Sequence, residues 1–156
     1  EIEKILTPLF FEDKKKLSCI VSSMSLIKLL TVVNQSNINI YKLINNFYNF
    51  LEDSNWINKF IFWELDLLKL LGYDLELKNI VSVEVFEEKK LYFVLNNNEK
   101  KYIPNFLVEK NYEVIDFNQI LAALKLTSDY LEKSILRPNN ISQPRTRTEF
   151  LNLIKE

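Results

Sequence analysis

The chain has 156 residues, 47% of them hydrophobic, and a formal net charge of -1 from twenty Lys plus Arg against twenty-one Asp plus Glu. Its length suits one compact domain with a sizeable core, and its charge balance excludes a field of one sign that draws the whole molecule onto a polyanion, so any nucleic-acid contact has to come from a local patch. A single cysteine, Cys19, and the lack of histidine exclude an internal disulfide, a multi-cysteine zinc site and the usual imidazole base, and they point to a reducing, cytoplasmic setting.

Residues 1–11 are a short apolar stretch, read as the remnant of an upstream domain or linker, with the domain proper over 12–156. The chain starts at Glu1 without an initiator Met and is expected to be part of a longer protein. No run reaches the roughly 18 apolar residues of a membrane span. A helix is predicted over 17–33, with Leu17, Ile20, Val21, Met24, Ile27 and Leu30 as its apolar stripe, Ser22, Ser23 and Ser25 on the solvent side and Lys28 at the stripe's edge. Cys19 lies in this helix with no histidine to activate it and reads as a buried small hydrophobe. The link 34–38 leads to a second helix, 39–52, with Tyr41, Ile44, Phe47, Tyr48 and Leu51 on one side.

The third predicted helix, 55–71, carries both tryptophans and is the most apolar, so it belongs at the centre of the bundle, with Trp63 and Leu67 as structural anchors. Glu64 lies among them and has to find a hydrogen-bond partner or reach the edge. Gly72 is the only glycine, and its place after this helix is that of a C-cap needing positive φ. The apolar period then changes to two over 81–86 and 90–95 around the polar turn 87–89, which predicts a hairpin that must pack on helices. A helical turn at 104–109 starts with Pro104. Asp116 and Gln119 make a capping-box pattern for a long helix to about 137, stopped by Pro138, and a last helix follows over 145–155. The whole reads as mainly α: a bundle of about five helices with a small hairpin insertion at about 81–95.

Nothing in this pattern supplies catalysis. Glu64 and Asp66 are two apart on a helix and do not share a face, and a chain with one glycine cannot build a phosphate-binding loop. No enzyme activity, cofactor or metal is expected. Two binding chemistries stand against the plain reading of a helical structural domain. Arg137, Arg145 and Arg147 are all the arginines, with no acidic residue among 138–146; with Lys133 and Lys125 they form a candidate phosphate-contacting group, although arginines near a C-terminus also serve as ordinary surface and helix-end residues. Tyr92 and Tyr102 near Lys90, Lys100 and Lys101 suit either base stacking or packing of the hairpin.

Trp63-Glu64-Leu65, then Leu67-Leu68, Leu71-Gly72-Tyr73, the strand Leu91-Tyr92-Phe93-Val94, and Leu124-Lys125-Leu126-Thr127 through Tyr130-Leu131, Leu136 and Arg145 follow in an order that resembles the helical C-terminal domain of the RecO family, its alphaproteobacterial branch most of all. The resemblance implies a recombination mediator in DNA repair that anneals single strands coated by single-strand DNA-binding protein, joins RecR and helps load RecA. It also implies an N-terminal oligonucleotide-binding barrel, of which 1–11 is read as the last trace, so that single- and double-stranded DNA is expected to bind this part only weakly. Many relatives carry four zinc-binding cysteines after the Gly-Tyr pair; the corresponding stretch 79–88 has none. The resemblance places a basic residue of the family at Phe62, which bears on contact with the acidic C-terminal tail of single-strand DNA-binding protein. Such a tail, ending in an apolar residue, needs an apolar groove rimmed by cations, here assigned to Lys28, Lys59 and Phe62. The alternative function is accordingly a protein-interaction module for that tail, without DNA binding of its own.

Overall fold

The computed structural model describes residues 13–33, 39–113 and 116–156. The stretch 1–11 and the link 34–38 lie outside the described residues. Among these, five longer helices and two short ones accompany a three-stranded sheet. The chain divides into two compact units, one of Glu1–Asp53 with Asp129–Glu156, the other of Ser54–Ser128.

The first unit contains α1 (Lys14–Val33), α2 (Asn39–Phe50) and the C-terminal helix, which packs extensively on α1. Cys19, Ile20, Leu26, Ile27 and Leu30 of α1 are buried, as are Ile40, Phe47 and Tyr48 of α2 and Leu51 beyond it. Burying each large apolar side chain contributes about 1.5–3 kcal/mol. The faces differ from the sequence pattern in two places. Val21 is 45% exposed, whereas Ser22 and Ser23 are buried; the inward face of α1 follows 19, 22, 23, 26 and 30, where small side chains leave room for a neighbour. Tyr41 is 72% exposed and Ile40 is buried in its stead, because the inward face is centred on 40, 44, 47 and 51 and Tyr41 falls at its edge.

The second unit contains α3 (Trp56–Leu70), the single turn α4 (Leu77–Ile80), strands β1 (Ser82–Phe86), β2 (Lys89–Asn96) and β3 (Glu99–Ile103), and α5 (Asn105–Glu109). Trp63, Glu64 and Leu67 are all at most 3% exposed. At the end of α3 the N–H of Gly72 donates to the Lys69 carbonyl at 3.0 Å and that of Tyr73 to the Leu68 carbonyl at 2.8 Å, the paired bonds of a Schellman cap. Gly72 has φ +94°, and a Cβ there meets nothing within 4 Å, so the backbone angle and not space demands glycine.

The predicted hairpin is present and a third strand extends it. β1, β2 and β3 pair antiparallel in that order, with Val83 opposite Tyr92 and Tyr92 opposite Ile103. β3 has no apolar alternation to announce it; among its residues only Ile103 is buried. Both turns use left-handed backbone at two successive residues, Glu87-Glu88 and Asn97-Asn98, which matches the strand twist. Asn tolerates that conformation and Glu does so poorly.

The long helix α6 spans Phe117–Leu131, capped by Asp116, whose carboxylate accepts from the Asn118 N–H at 2.9 Å. It passes from the second unit into the first after Ser128. Instead of running as α-helix to 137, it widens into a π turn, Glu132–Leu136, and then tightens to a 3-10 turn, Arg137–Asn139. Pro138 offers no N–H to the preceding turn, and the freed carbonyls are met otherwise: Ile135 accepts from the Asn139 amide at 2.7 Å and Leu136 from the Ile141 N–H at 2.8 Å. The C-terminal helix, α7 (Arg145–Lys155), follows and buries Phe150 and Ile154.

Candidate functional site

Within the second unit, α3, the segment that follows it and the end of α5 enclose a cleft of about 320 Å³. Its apolar floor is Phe62 and Leu65 from α3, Leu75 and Leu77 from the far side, and Leu107 and Val108 from α5. Phe62 is fixed by its neighbours: its ring lies 4.6 Å from that of Tyr112 and 6.0 Å from that of Phe106, centroid to centroid. Tyr112 is held in turn, because its carbonyl accepts from the side-chain amides of Asn55 at 3.0 Å and Asn58 at 3.2 Å.

Charged residues ring this floor. Lys69, Lys78 and Lys110 supply three cations, and Asp66, Asp74 and Glu76 three carboxylates. Lys69 lies 4.0 Å from Asp74, and Asp74 accepts from the Glu76 N–H at 3.0 Å. The side chains of Lys78 and Lys110 make no hydrogen bond or ion pair among the described residues. Partial burial raises the pKa of Asp66, while Lys110 and Lys69 pull it down and Asp74 pushes it up. Glu76 and Lys110 both have left-handed backbone, φ 47° and 55°, a conformation that costs a side-chain-bearing residue about 1–2 kcal/mol. At Lys110 it ends α5 and is accompanied by an Asn111 N–H to Phe106 carbonyl bond of 2.9 Å. A cleft with an apolar floor and ammonium groups at its rim can hold an apolar side chain and a carboxylate of the same ligand.

The tail-binding residues named from the sequence are thus only partly gathered here. Phe62 lines the cleft. Lys59 is a half-buried residue of α3 that does not line it, and Lys28 is an exposed residue of the first unit. The sequence reading missed Lys69, Lys78 and Lys110. Lys69 follows Phe62 by seven residues, two helical turns, which was a usable signal. Lys78 and Lys110 reach the cleft by tertiary folding alone.

The arginine group needs a correction. Arg147, read as a phosphate contact, is 0% exposed and is the largest fully buried side chain described, because it shares the inward face of α7 with Phe150 and Ile154. Arg137 and Arg145 are exposed, but acidic residues just outside the uninterrupted stretch meet them. The π turn brings Glu132 to 3.8 Å from Arg137, five residues on, and one α-helical turn brings Glu149 to 2.9 Å from Arg145. Lys133 is exposed in the first unit, and Lys125 is exposed on α6 in the second.

The aromatic and lysine residues of the sheet are engaged with one another. Glu84 accepts from Lys100 and from the Tyr102 hydroxyl, each at 2.6 Å, and the Lys100 ammonium lies 4.8 Å from the centre of the Phe93 ring. The Tyr92 hydroxyl donates to Glu109 at 3.1 Å. These contacts lower the Glu84 pKa, first through Lys100 and then through Tyr102, and raise those of Lys100 and Tyr102 through Glu84. Packing within the sheet accounts for this cluster. Among the described residues no group of three His, Cys, Asp or Glu side chains is placed to hold a metal ion, and no helix is long and apolar enough to cross a membrane.

A family model described as "Recombination protein O C terminal" matches residues 12–141. The DNA repair protein RecO of Bartonella tribocorum is 29% identical over 107 residues, which covers 60% of this chain and 42% of that protein. The DNA repair protein RecO of Bartonella bacilliformis is 26% identical over 107 residues, covering 60% of this chain and 43% of its own length. The chain therefore spans less than half the length of these curated relatives. No solved structure gives a significant match.

Proposed function

The chain belongs to the family of the RecO C-terminal domain, in DNA repair and recombination, and we propose that its part in that work is to receive the acidic tail of single-strand DNA-binding protein in the cleft around Phe62. One observation carries this reading: the ammonium groups of Lys78 and Lys110, which make no hydrogen bond or ion pair among the described residues, border an apolar floor. An apolar tail residue covers Phe62, and the tail carboxylates neutralise the lysines. The role is one of binding rather than catalysis, and it brings the mediator to single strands already coated with that protein. Annealing of those strands, loading of the recombinase and the meeting with RecR rest on the family resemblance. DNA contact by this part of the protein is the second reading, favoured by the exposure of Lys125, Lys133, Arg137 and Arg145; it is weak, since Glu132 and Glu149 already neutralise two of the four.

Lys110→Gly tests the cleft. Glycine relieves the left-handed strain at φ 55° and removes the charge, so the protein keeps or gains stability while its affinity for a synthetic tail peptide falls by about fivefold or more. Fluorescence anisotropy at low salt reads the affinity and a thermal melt reads the fold. A parent that binds no acidic peptide, or a variant that binds it as well as the parent, overturns the assignment.

A further inference from the structure

The lining of the cleft is formally neutral, three lysines against three carboxylates, so an acidic ligand meets repulsion as well as attraction. The carboxylates are not equivalent. Asp74 is occupied by the Glu76 N–H and the neighbouring Lys69, and Glu76 belongs to the turn before α4. Asp66 lies one helical turn beyond Phe62 and three residues before Lys69, lines the cleft, and its carboxylate makes no hydrogen bond or ion pair among the described residues. It feels the fields of Lys69 on its own helix and of Lys110 across the cleft. A carboxylate held near two cations without bonding either occupies the place that an incoming carboxylate needs.

We propose that Asp66 sets the selectivity of this cleft for acidic ligands by acting as a resident competitor for Lys69 and Lys110. The inference rests on the peptide-binding reading above and adds to it the residue that limits affinity. A ligand that approaches the ionised Asp66 must bring enough negative charge to outweigh it. Burial holds its pKa above the ordinary aspartate value, so on acidification it takes up a proton earlier than an exposed aspartate and the cleft gains one unit of positive charge. Asp74, Glu76, Lys69, Lys78 and Lys110 are the other charged groups that line the cleft.

The test compares the parent with Asp66→Asn, using a synthetic peptide of consecutive aspartates ending in phenylalanine and its amidated counterpart in which asparagines replace the aspartates. At neutral pH and low salt the variant binds the acidic peptide about three- to tenfold more tightly, as removal of one like charge several ångströms away predicts, and the neutral peptide equally. The ratio of variant to parent affinity shrinks toward one as pH falls through the Asp66 titration. Binding by the variant alone supports the competitor role. A parent that binds the acidic peptide with the same affinity as the variant overturns the role of Asp66 and leaves the cleft standing. Failure of both proteins to bind overturns the cleft reading together with it.

Discussion

Arg147 and Arg145 stand two residues apart and answer to different physics. Arg145 is exposed and paired with Glu149 at the surface, where such a pair contributes about 0–1 kcal/mol. Arg147 is fully buried on the same face as Phe150 and Ile154, and truncating so large a buried side chain leaves a cavity at a cost of about 2–5 kcal/mol. Arg147→Ala should therefore lower the urea midpoint sharply while Arg145→Ala leaves it almost unmoved. Trp63→Ala should match the first, at about 3–5 kcal/mol, because Trp63 is 3% exposed and stacks on Phe60 with 6.1 Å between ring centres. Glu84 offers a pH test. Its pKa is depressed in the fold, so its contribution to stability is present above the ordinary glutamate value and is lost as pH falls through the depressed one. Lys100 is raised, so its contribution is present at neutral pH and is lost only as pH climbs through its raised value. Glu84→Gln should bring the Tyr102 phenol back down toward an ordinary tyrosine titration, which ultraviolet absorbance follows directly. Trp63, Leu67 and Cys19 were legible as core from composition and spacing. The burial of Arg147 was not, because a charge on the inward face of a helix looks like any other charge until the packing of that helix is known.

Helix ends and turns carry the next set of decisions. Gly72→Ala places a Cβ in open space at φ +94° and so isolates the cost of the backbone angle, about 1–2 kcal/mol of destabilisation. Glu88→Gly, at φ 64° in the first hairpin turn, should act with the opposite sign and stabilise by about 1 kcal/mol. Chemical denaturation of the two single variants checks both signs. The five longer helices could be read from the sequence because helical spacing, Asp116 as a cap, Gly72 as a terminator and Pro138 as a breaker are local signals. β3 could not, because Glu99-Lys100-Lys101-Tyr102 owes its strand to pairing with β2 rather than to an apolar pattern of its own. The π turn at Glu132–Leu136 left no local mark either, yet it decides that Glu132 faces Arg137.

For the whole molecule, a net charge of -1 leaves no broad field to hold a nucleic acid, and the expected affinity for single-stranded DNA is low and steeply salt-dependent. Arg145→Ala should reduce the slope of log affinity against log salt by roughly one if that residue meets a phosphate; an unchanged slope removes it from the interface. Binding of the tail peptide should decline less with salt, since part of it comes from the apolar floor around Phe62. The sequence by itself determined the mainly helical class, the ends of most helices and the poverty of metal and nucleophile chemistry, because these follow from composition and from interactions within a few residues. Only the tertiary structure decided that residues 62, 78 and 110, far apart in the chain, line one cleft, because no local period records that α3, α4 and the end of α5 fold around it.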